Sequence, residues 1–211
     1  MFSRRAPIAL HSANGAENSW QIQVNKRALG PLAVRTVQNG QERIRSAGEN
    51  DTRQGGEGVI IISAMSSDRV IGSGNGMPWN VPEEYEQFLR YVDGQAVIMG
   101  RRSFEIFGPD LRHAANIVVS RSAVRIQGAR VCSTIQEAID SARALGKTTF
   151  SAGGAMIYEQ TVPLASDMYL SFIKGHFTGD TYFPRFDARA WEVVEQRDHE
   201  AFEFIHYRRI V

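Results

Sequence analysis

The sequence is poor in cysteine and carries almost no net charge. Cys132 is the only cysteine in 211 residues, so the chain cannot form a disulfide within itself, and a lone thiol is typical of a reducing compartment. The formal net charge is +1, which gives no electrostatic reason to expect nucleic acid or an anionic membrane as a partner. We therefore predict a cytoplasmic protein without a nucleic-acid partner.

Long apolar runs are also missing. No stretch approaches the ~20 apolar residues that cross a bilayer, and residues 7–10 are too few for the apolar centre of a secretory signal. Neither a membrane partner nor secretion is predicted. Arg4 and Arg5, with no acidic residue before Glu17, faintly resemble the start of an organellar transit segment. An extended, unstructured start is the other interpretation.

The first 57 residues differ in character from the rest of the chain. They contain eight basic and five acidic residues and few large apolar side chains, and they lead into the linker-like sequence Gln54-Gly55-Gly56-Glu57-Gly58. This difference predicts an N-terminal extension over residues 1–57, disordered or weakly structured, and a folded domain over residues 58–211. About 150 residues are enough for a single hydrophobic core.

Strand-like and helix-like segments alternate through the second unit. Helix-length crossovers between strands predict an α/β fold with a mixed, mostly parallel central sheet flanked by helices. The last two strands are joined too briefly for a crossover, so we expect them to pair antiparallel. The predicted strands are 59–64, 96–99, 116–119, 148–152, 168–173, 191–196 and 202–210, and the predicted helices are 82–92, 102–107, 134–145 and 155–161.

One stretch near the start of this unit places a buried strand, a glycine-rich loop and a helix in succession. The loop contains Gly72, Gly74 and Gly76. Glycine permits backbone angles closed to other residues, so the loop can lie against a ligand or close over it. Pro82 suits the first turn of the helix, which Asn80 can cap. Glu84 and Phe88 lie four residues apart on one face of that helix, where a carboxylate and a ring can meet a planar ligand.

A series of motifs begins in this stretch and continues in order to the C-terminus. The motifs are Ala64, Asp68-Arg69-Val70-Ile71-Gly72, Asn75, Met77-Pro78-Trp79-Asn80, Pro82 with Glu84, Val97-Ile98-Met99-Gly100-Arg101, Ser103-Phe104-Glu105, Asn116-Ile117-Val118-Val119-Ser120, Gly153-Gly154 with Tyr158, Gly179-Asp180-Thr181 and Phe183-Pro184. The series closely resembles the dihydrofolate reductase family. The resemblance implies a dihydrofolate reductase-like catalytic domain that uses NADPH to reduce 7,8-dihydrofolate to 5,6,7,8-tetrahydrofolate, in tetrahydrofolate biosynthesis and one-carbon metabolism.

The resemblance implies that Glu84 hydrogen-bonds the 2-amino and N3 edge of a pterin and helps to deliver a proton to N5. Burial beside aromatic rings would raise the pKa of its carboxyl and suit acid chemistry near neutral pH. The structural alternative is an acid favoured in the first helical turn by the helix dipole. Ser171 is implied to hold this carboxylate, and Trp79 completes the implied catalytic set. The implied substrate-binding residues are Ala64, Glu84, Phe88, Phe107 and Arg112.

Glycines and cations follow the predicted strands. Gly100 ends one strand and opens Arg101-Arg102-Ser103, and Ser120-Arg121-Ser122 ends the next. Two cationic turns at neighbouring strand ends suit the 2′-phosphate of NADPH, so NADPH is favoured over NADH. Gly153-Gly154 lets bare backbone approach a pyrophosphate at a helix N-terminus. The resemblance implies that this peptide bond is cis.

The resemblance also implies a wider cofactor site and a contact that controls the loop. The implied cofactor-binding residues are Ala64, Ile71, Asn75, Met77, Gly100, Arg101, Arg102, Ser103, Ser120, Arg121, Gly153, Gly154, Ala155 and Tyr158. Asp180 is expected to engage the glycine-rich loop from the opposite side, and a turn-forming aspartate is the alternative. No metal site is predicted, and a monomer is the simplest expectation.

Three positions depart from the family pattern. Ala114 stands where the family commonly has an arginine that grips the glutamate tail of the substrate, and Arg112 is the nearest cation in sequence. Ala155 and Met156 stand where a third glycine and a cation are common. These departures leave open a reductase of another pterin that lacks the glutamate tail, a reductase acting on a pyrimidine of riboflavin synthesis, or a catalytically silent module that binds NADPH or folate.

Overall fold

A computed structural model describes residues 58–122 and 125–210 of the protein. The predicted N-terminal extension lies outside the described residues. The strands are β1 (Val59–Ser66), β2 (Val70–Gly72), β3 (Ala96–Gly100), β4 (Ala115–Val119), β5 (Arg130–Cys132), β6 (Thr149–Ser151), β7 (Ala165–Ile173), β8 (Thr181–Tyr182), β9 (Trp191–Asp198) and β10 (Phe202–Arg209). The α-helices are α1 (Pro82–Val92), α2 (Arg101–Phe107), α3 (Ile135–Arg143) and α4 (Ala155–Thr161). In this part of the chain, no helix combines the length and apolarity needed to cross a membrane.

Eight strands form one sheet in the order β5-β4-β3-β6-β1-β7-β10-β9. The pairs from β5 to β7 are parallel, and β10 pairs antiparallel with both β7 and β9. This confirms the predicted fold class, including the antiparallel C-terminal pair. β1 lies between β6 and β7, within the parallel part of the sheet. Open α/β sheets bind ligands in the crevice outside the carboxyl ends of such strands.

The core lies on both faces of this sheet. Successive side chains of a strand point to opposite faces, so Ile98 packs with α3 and the start of α4 while Val97 packs with α1 and α2. Both side chains are fully buried. Covering both faces explains why β3 reads as an unbroken apolar run in the sequence.

The sequence prediction missed three short strands. β2 and β8 form a separate antiparallel ribbon in which Val70 faces Tyr182 and Gly72 faces Thr181, and β5 extends the sheet beyond β4. Each has only two or three residues, which is too few for a period-two pattern to be recognised. The ribbon matters for function because it joins the glycine-rich loop to the segment that follows β7.

Helix α1 begins at Pro82 as predicted, but Asn80 does not cap it. Val81 occupies the N-cap position with φ −128° and ψ 86°, and no side-chain hydrogen bond closes the first turn. A proline at the first helical position holds the preceding residue in an extended conformation, so the N-cap position falls one residue after Asn80. The helix then turns Glu84 inward, where its side chain is buried.

Candidate active site

A cleft opens beside β1, between α1 and the loop that precedes it. The cleft is open to solvent, and its empty space, including that open part, measures about 560 Å³. Parallel pairing of β1 with β6 brings the carboxyl ends of both strands to the same edge, so segments far apart in sequence meet there. The lining residues are Ile62, Ser63, Ala64, Ile71, Met77, Glu84, Tyr85, Phe88, Ser103, Phe107, Ala152, Gly153, Gly154 and Tyr158.

Glu84 is the acidic residue of this lining, and it is only 9% exposed. Burial raises the pKa of its carboxyl above the ordinary range, while a hydrogen bond donated by the hydroxyl of Ser171 opposes the rise. Ser171 reaches the carboxyl because β7 pairs with β1 in a register that places Ser171 opposite Ala64. The raised pKa shifts this carboxyl towards its protonated form, which is the form that a general acid needs.

Three aromatic rings form the outer wall of the cleft. The ring of Tyr85 is stacked on Phe88 with centroids 5.9 Å apart, and Phe107 lies 6.1 Å from Tyr85 and 6.4 Å from Phe88. Tyr85 and Phe88 are three residues apart on α1, and Phe107 ends α2. Flat apolar surfaces in the same cleft as a carboxylate suit a planar heterocycle with a polar edge.

The glycine-rich loop is held by Asp180 from the segment after β7. The backbone N–H of Gly74 donates to Oδ2 of Asp180 at 3.1 Å. A hydrogen bond from the Thr181 hydroxyl, together with this one, lowers the pKa of Asp180. A side chain at Gly179 would have its Cβ 2.2 Å from the carbonyl oxygen of Gly72, so only glycine allows this approach of the two segments. The contact expected for Asp180 is therefore present.

Bare backbone forms one corner of the cleft where β6 leads into α4. The Gly153–Gly154 peptide bond is cis, which confirms the expectation for this pair. Gly153 has φ +99°, and a Cβ there would lie 2.9 Å from the Tyr158 ring. The hydroxyl of Tyr158 donates to the carbonyl of Ile62 at 2.8 Å and ties α4 to β1. This corner leaves room for a ligand to lie against the main chain.

Arg102 joins the start of α2 to the glycine-rich loop. Its guanidinium hydrogen-bonds the carbonyl oxygen of Gly74 and, at 2.9 Å, Oδ1 of Asn75. The side chain is exposed, so it can also reach an anion at the rim of the cleft. The structure thus brings two predicted cofactor residues, Asn75 and Arg102, into direct contact.

Comparison with known proteins identifies the family of this chain. The family described as dihydrofolate reductase matches residues 58–209. The chain belongs to the dihydrofolate reductase family. It is 31% identical over 159 residues to dihydrofolate reductase of Bacillus subtilis, with 72% of this chain and 94% of that relative covered. It is 36% identical over 137 residues to dihydrofolate reductase type A13 of Escherichia coli, with 64% and 83% covered.

Solved structures include a similar fold. Dihydrofolate reductase from Enterococcus faecalis, complexed with NADP(H) and RAB-propyl, superposes with a TM-score of 0.68 at 25% sequence identity. The match covers 74% of this chain and 98% of that one. Nearly the whole of that enzyme therefore has a counterpart in this fold.

Trp79 and Arg112, both predicted as site residues, do not belong to the lining of the cleft. Trp79 packs edge-on against Phe177, with ring centroids 5.2 Å apart, in an apolar cluster that also contains Ala64. Arg112 is exposed, and its Nε donates to the carbonyl of Pro109 at 3.1 Å. Neither side chain lines the cleft, although Trp79 belongs to the cluster that supports it.

The remaining predicted cofactor residues lie at or just after the carboxyl ends of β3 and β4 and at the start of α4. Gly100 ends β3, and its N–H donates to the carbonyl of Gly153 at 2.7 Å. Arg101 is exposed and pairs with Glu105 at 3.5 Å. Ser120 and the exposed Arg121 follow β4, next to β3 in the sheet. Ala155 starts α4 and packs against a buried cluster.

Sequence reasoning missed Tyr85 as a member of the site. Its ring lines the cleft, and its hydroxyl donates to Oδ2 of Asp110 at 2.7 Å. The sequence does contain a signal for Tyr85. It lies three residues before Phe88, and residues three apart on a helix are neighbours on its surface. The partner Asp110 was not recognisable, since it lies 25 residues away and only the folded chain brings it to α1.

Proposed function

We propose that the protein is an NADPH-dependent dihydrofolate reductase, which converts 7,8-dihydrofolate to 5,6,7,8-tetrahydrofolate. One observation carries the proposal: a buried carboxyl with a raised pKa, that of Glu84, faces an aromatic cleft whose far corner is bare glycine backbone. Membership of the family supports the same reaction.

Glu84 has the role of binding and protonating the pterin. Its carboxyl hydrogen-bonds the 2-amino and N3 edge of the ring, and it helps to supply the proton that N5 takes up. Ser171 holds the carboxyl in place through its hydroxyl. Phe88 and Phe107 present flat surfaces to the ring and keep water from that side of the cleft. General acid catalysis of this kind accelerates reactions by about 10²- to 10⁴-fold.

The corner at Gly153 and Gly154 fits a dinucleotide. Backbone without side chains lets a pyrophosphate approach closely, and a Cβ on Gly154 would already lie 3.4 Å from Oγ of Ser103. NADPH, when bound, supplies the hydride that reduces C6 of the pterin. The residues assigned to hold it are Ala64, Ile71, Asn75, Met77, Gly100, Arg101, Arg102, Ser103, Ser120, Arg121, Gly153, Gly154, Ala155 and Tyr158.

Cations at two strand ends select the phosphorylated cofactor in this proposal. Arg101 and Arg102 follow β3, and Arg121 follows β4, the neighbouring strand. Guanidinium groups bind phosphate through paired, charge-assisted hydrogen bonds, which NADH could not make with its free 2′-hydroxyl. Asp180 acts on the opposite side of the loop and holds it over the cleft through Gly74.

Loss of absorbance of the reduced nicotinamide tests this function directly. Purified full-length protein is mixed with NADPH and 7,8-dihydrofolate, and the product is identified as tetrahydrofolate by mass. We expect stoichiometric oxidation of NADPH, and a much lower kcat/KM with NADH. Absence of turnover despite measurable NADPH binding would favour a silent binding module over an enzyme.

We further propose that the protein works in the cytoplasm as a monomer, in tetrahydrofolate biosynthesis and one-carbon metabolism. The thiol of Cys132 is free and only 1% exposed, as suits a reducing compartment. Analytical ultracentrifugation and fractionation of source cells test these two points.

A further inference from the structure

A second cavity lies behind the aromatic wall of the cleft. Its open volume is about 640 Å³, and its lining includes Leu89 of α1 and Leu111 and Ala114 beyond α2. One hydrogen bond connects the walls of the two cavities. Tyr85 lines the first cavity, and its hydroxyl donates to Asp110, which lines the second. A substituent that extended from a ring bound in the cleft past the hydroxyl of Tyr85 would therefore meet the carboxyl of Asp110.

The charge around this second cavity is negative. Asp93 and Asp110 both line it, and only Arg90 among its lining residues carries a fixed positive charge. That guanidinium is 68% exposed and lies 3.9 Å from Glu86, a further acid. His113 also lines the cavity, but its Nδ1 is 3.2 Å from Asp93 and its side chain is 81% exposed. A carboxylate placed here meets more acids than bases.

The first cavity does not offset this charge. Its lining contains Glu84 and no lysine, arginine or histidine. Arg112, nearby in sequence, is exposed and already donates to the carbonyl of Pro109. An anionic tail therefore finds no preformed cationic site among the lining residues of the two cavities. A neutral tail can instead pack against the apolar side chains of Leu89 and Leu111.

We propose that Asp110 is a specificity-determining residue: its carboxylate disfavours an anionic tail and so shifts the ratio of kcat/KM values towards 7,8-dihydropterins that have only a small neutral group at C6. This inference rests on the proposed function. The reaction balances as it does for dihydrofolate, because the N5–C6 double bond takes up a hydride at C6 and a proton at N5 while NADPH is oxidised to NADP⁺. Binding of the ring by Glu84 is common to both substrates.

The test compares kcat/KM for dihydrofolate with kcat/KM for a tailless dihydropterin. Asp110→Asn keeps an acceptor for the Tyr85 hydroxyl and removes the charge, so we expect the efficiency with dihydrofolate, relative to the tailless substrate, to rise about fivefold. Asp140→Asn is the matched control, because Asp140 is exposed on α3, which packs on the opposite face of the sheet. The control should leave the ratio unchanged.

Ionic strength provides an independent measurement on the unaltered enzyme. Raising it from about 0.01 M to about 1 M shortens the Debye length from about 30 Å to about 3 Å, which weakens repulsion between exposed charges. We expect the preference for the tailless substrate to diminish with salt in the wild type and less so in Asp110→Asn. The inference would be overturned if the ratio of kcat/KM values for the two substrates changed by less than about threefold in Asp110→Asn. It would also be overturned if that ratio changed equally in the Asp140→Asn control.

A calorimetric measurement separates this inference from the proposed function. The dissociation constants of folic acid and of the corresponding tailless pterin are measured with wild type, Asp110→Asn and Asp140→Asn. If neither dihydro substrate is reduced, the proposed function fails. The role of Asp110 is then decided by the ratio of the two dissociation constants, which must change by at least about threefold in Asp110→Asn. Tighter relative binding of folic acid in Asp110→Asn alone supports that role.

Discussion

The substitution Glu84→Gln tests the chemical core of this site. Glutamine keeps the size of the side chain and an oxygen that can accept from the Ser171 hydroxyl, so the shape of the cleft is preserved. What it removes is a titratable proton, at a position where the carboxyl is only 9% exposed. The variant should therefore fold normally, and the affinity for NADPH should remain close to that of the wild type.

The expected loss of activity follows from the role of the proton. General acid catalysis contributes about 10²- to 10⁴-fold, so turnover of dihydrofolate should fall by at least about 10²-fold near neutral pH, an increase of about 2.7 kcal/mol in the barrier. Glu83→Gln is the matched control. Glu83 is the adjacent acid of α1, but its side chain is 58% exposed and bonded to His199, outside the cleft. Its replacement should leave turnover nearly unchanged.

The assay is steady-state oxidation of NADPH with dihydrofolate, accompanied by titration of NADPH binding through protein fluorescence. Single-turnover measurements separate the chemical step from product release. A Glu84→Gln variant that is folded, binds NADPH and retains wild-type turnover would refute the assignment of Glu84 as the proton source. A loss of equal size in Glu83→Gln would point to disruption of α1 instead.

The pKa of Glu84 also predicts how stability depends on pH. Burial raises this pKa in the folded state above its value in the unfolded chain, so the native protein binds the proton more tightly. The resulting stabilisation is complete below the unfolded pKa and is lost as pH rises through the folded pKa. Glu84→Gln should thus gain stability relative to the wild type as pH rises, which urea unfolding at several pH values would measure.

Further predictions concern the glycine corner, the loop contact and the N-terminal residues. Gly153→Ala places a Cβ 2.9 Å from the Tyr158 ring at a φ of +99°, so NADPH affinity should fall by at least about tenfold in fluorescence titrations; an unchanged affinity would contradict the assignment of this corner. Asp180→Ala removes the acceptor for the N–H of Gly74, so exchange of that amide with solvent should become faster by NMR; unchanged exchange would show that the loop does not depend on Asp180. Deletion of residues 1–57 should leave kcat unchanged and the domain folded, and an insoluble or inactive product would assign the extension a structural role.

The order of the main strands and helices was predictable because their signals are local. The apolar, β-branched run at 59–64 and the periodic pattern of α1 each depend on neighbouring residues, and burial of β3 on both faces explains its unbroken apolar run. The short strands β2 and β8 carry no such signal, since their pairing depends on residues more than 100 positions apart. The cap of α1 was wrong because the conformation imposed by Pro82 on Val81 outweighed the capping preference of Asn80.

For the site, the order of residues is enough to show which chemical groups are present: an acid on α1, glycines after β6 and arginines after β3. Their types and order are enough to identify the family, since motif spacing survives where overall identity is low. The tertiary structure alone decided that Glu84 is buried beside Ser171, that Arg102 holds the loop, and that Asp110 reaches Tyr85. Burial and partner contacts set pKa values and charge near the ligand, and they arise only when strands far apart in sequence pair side by side.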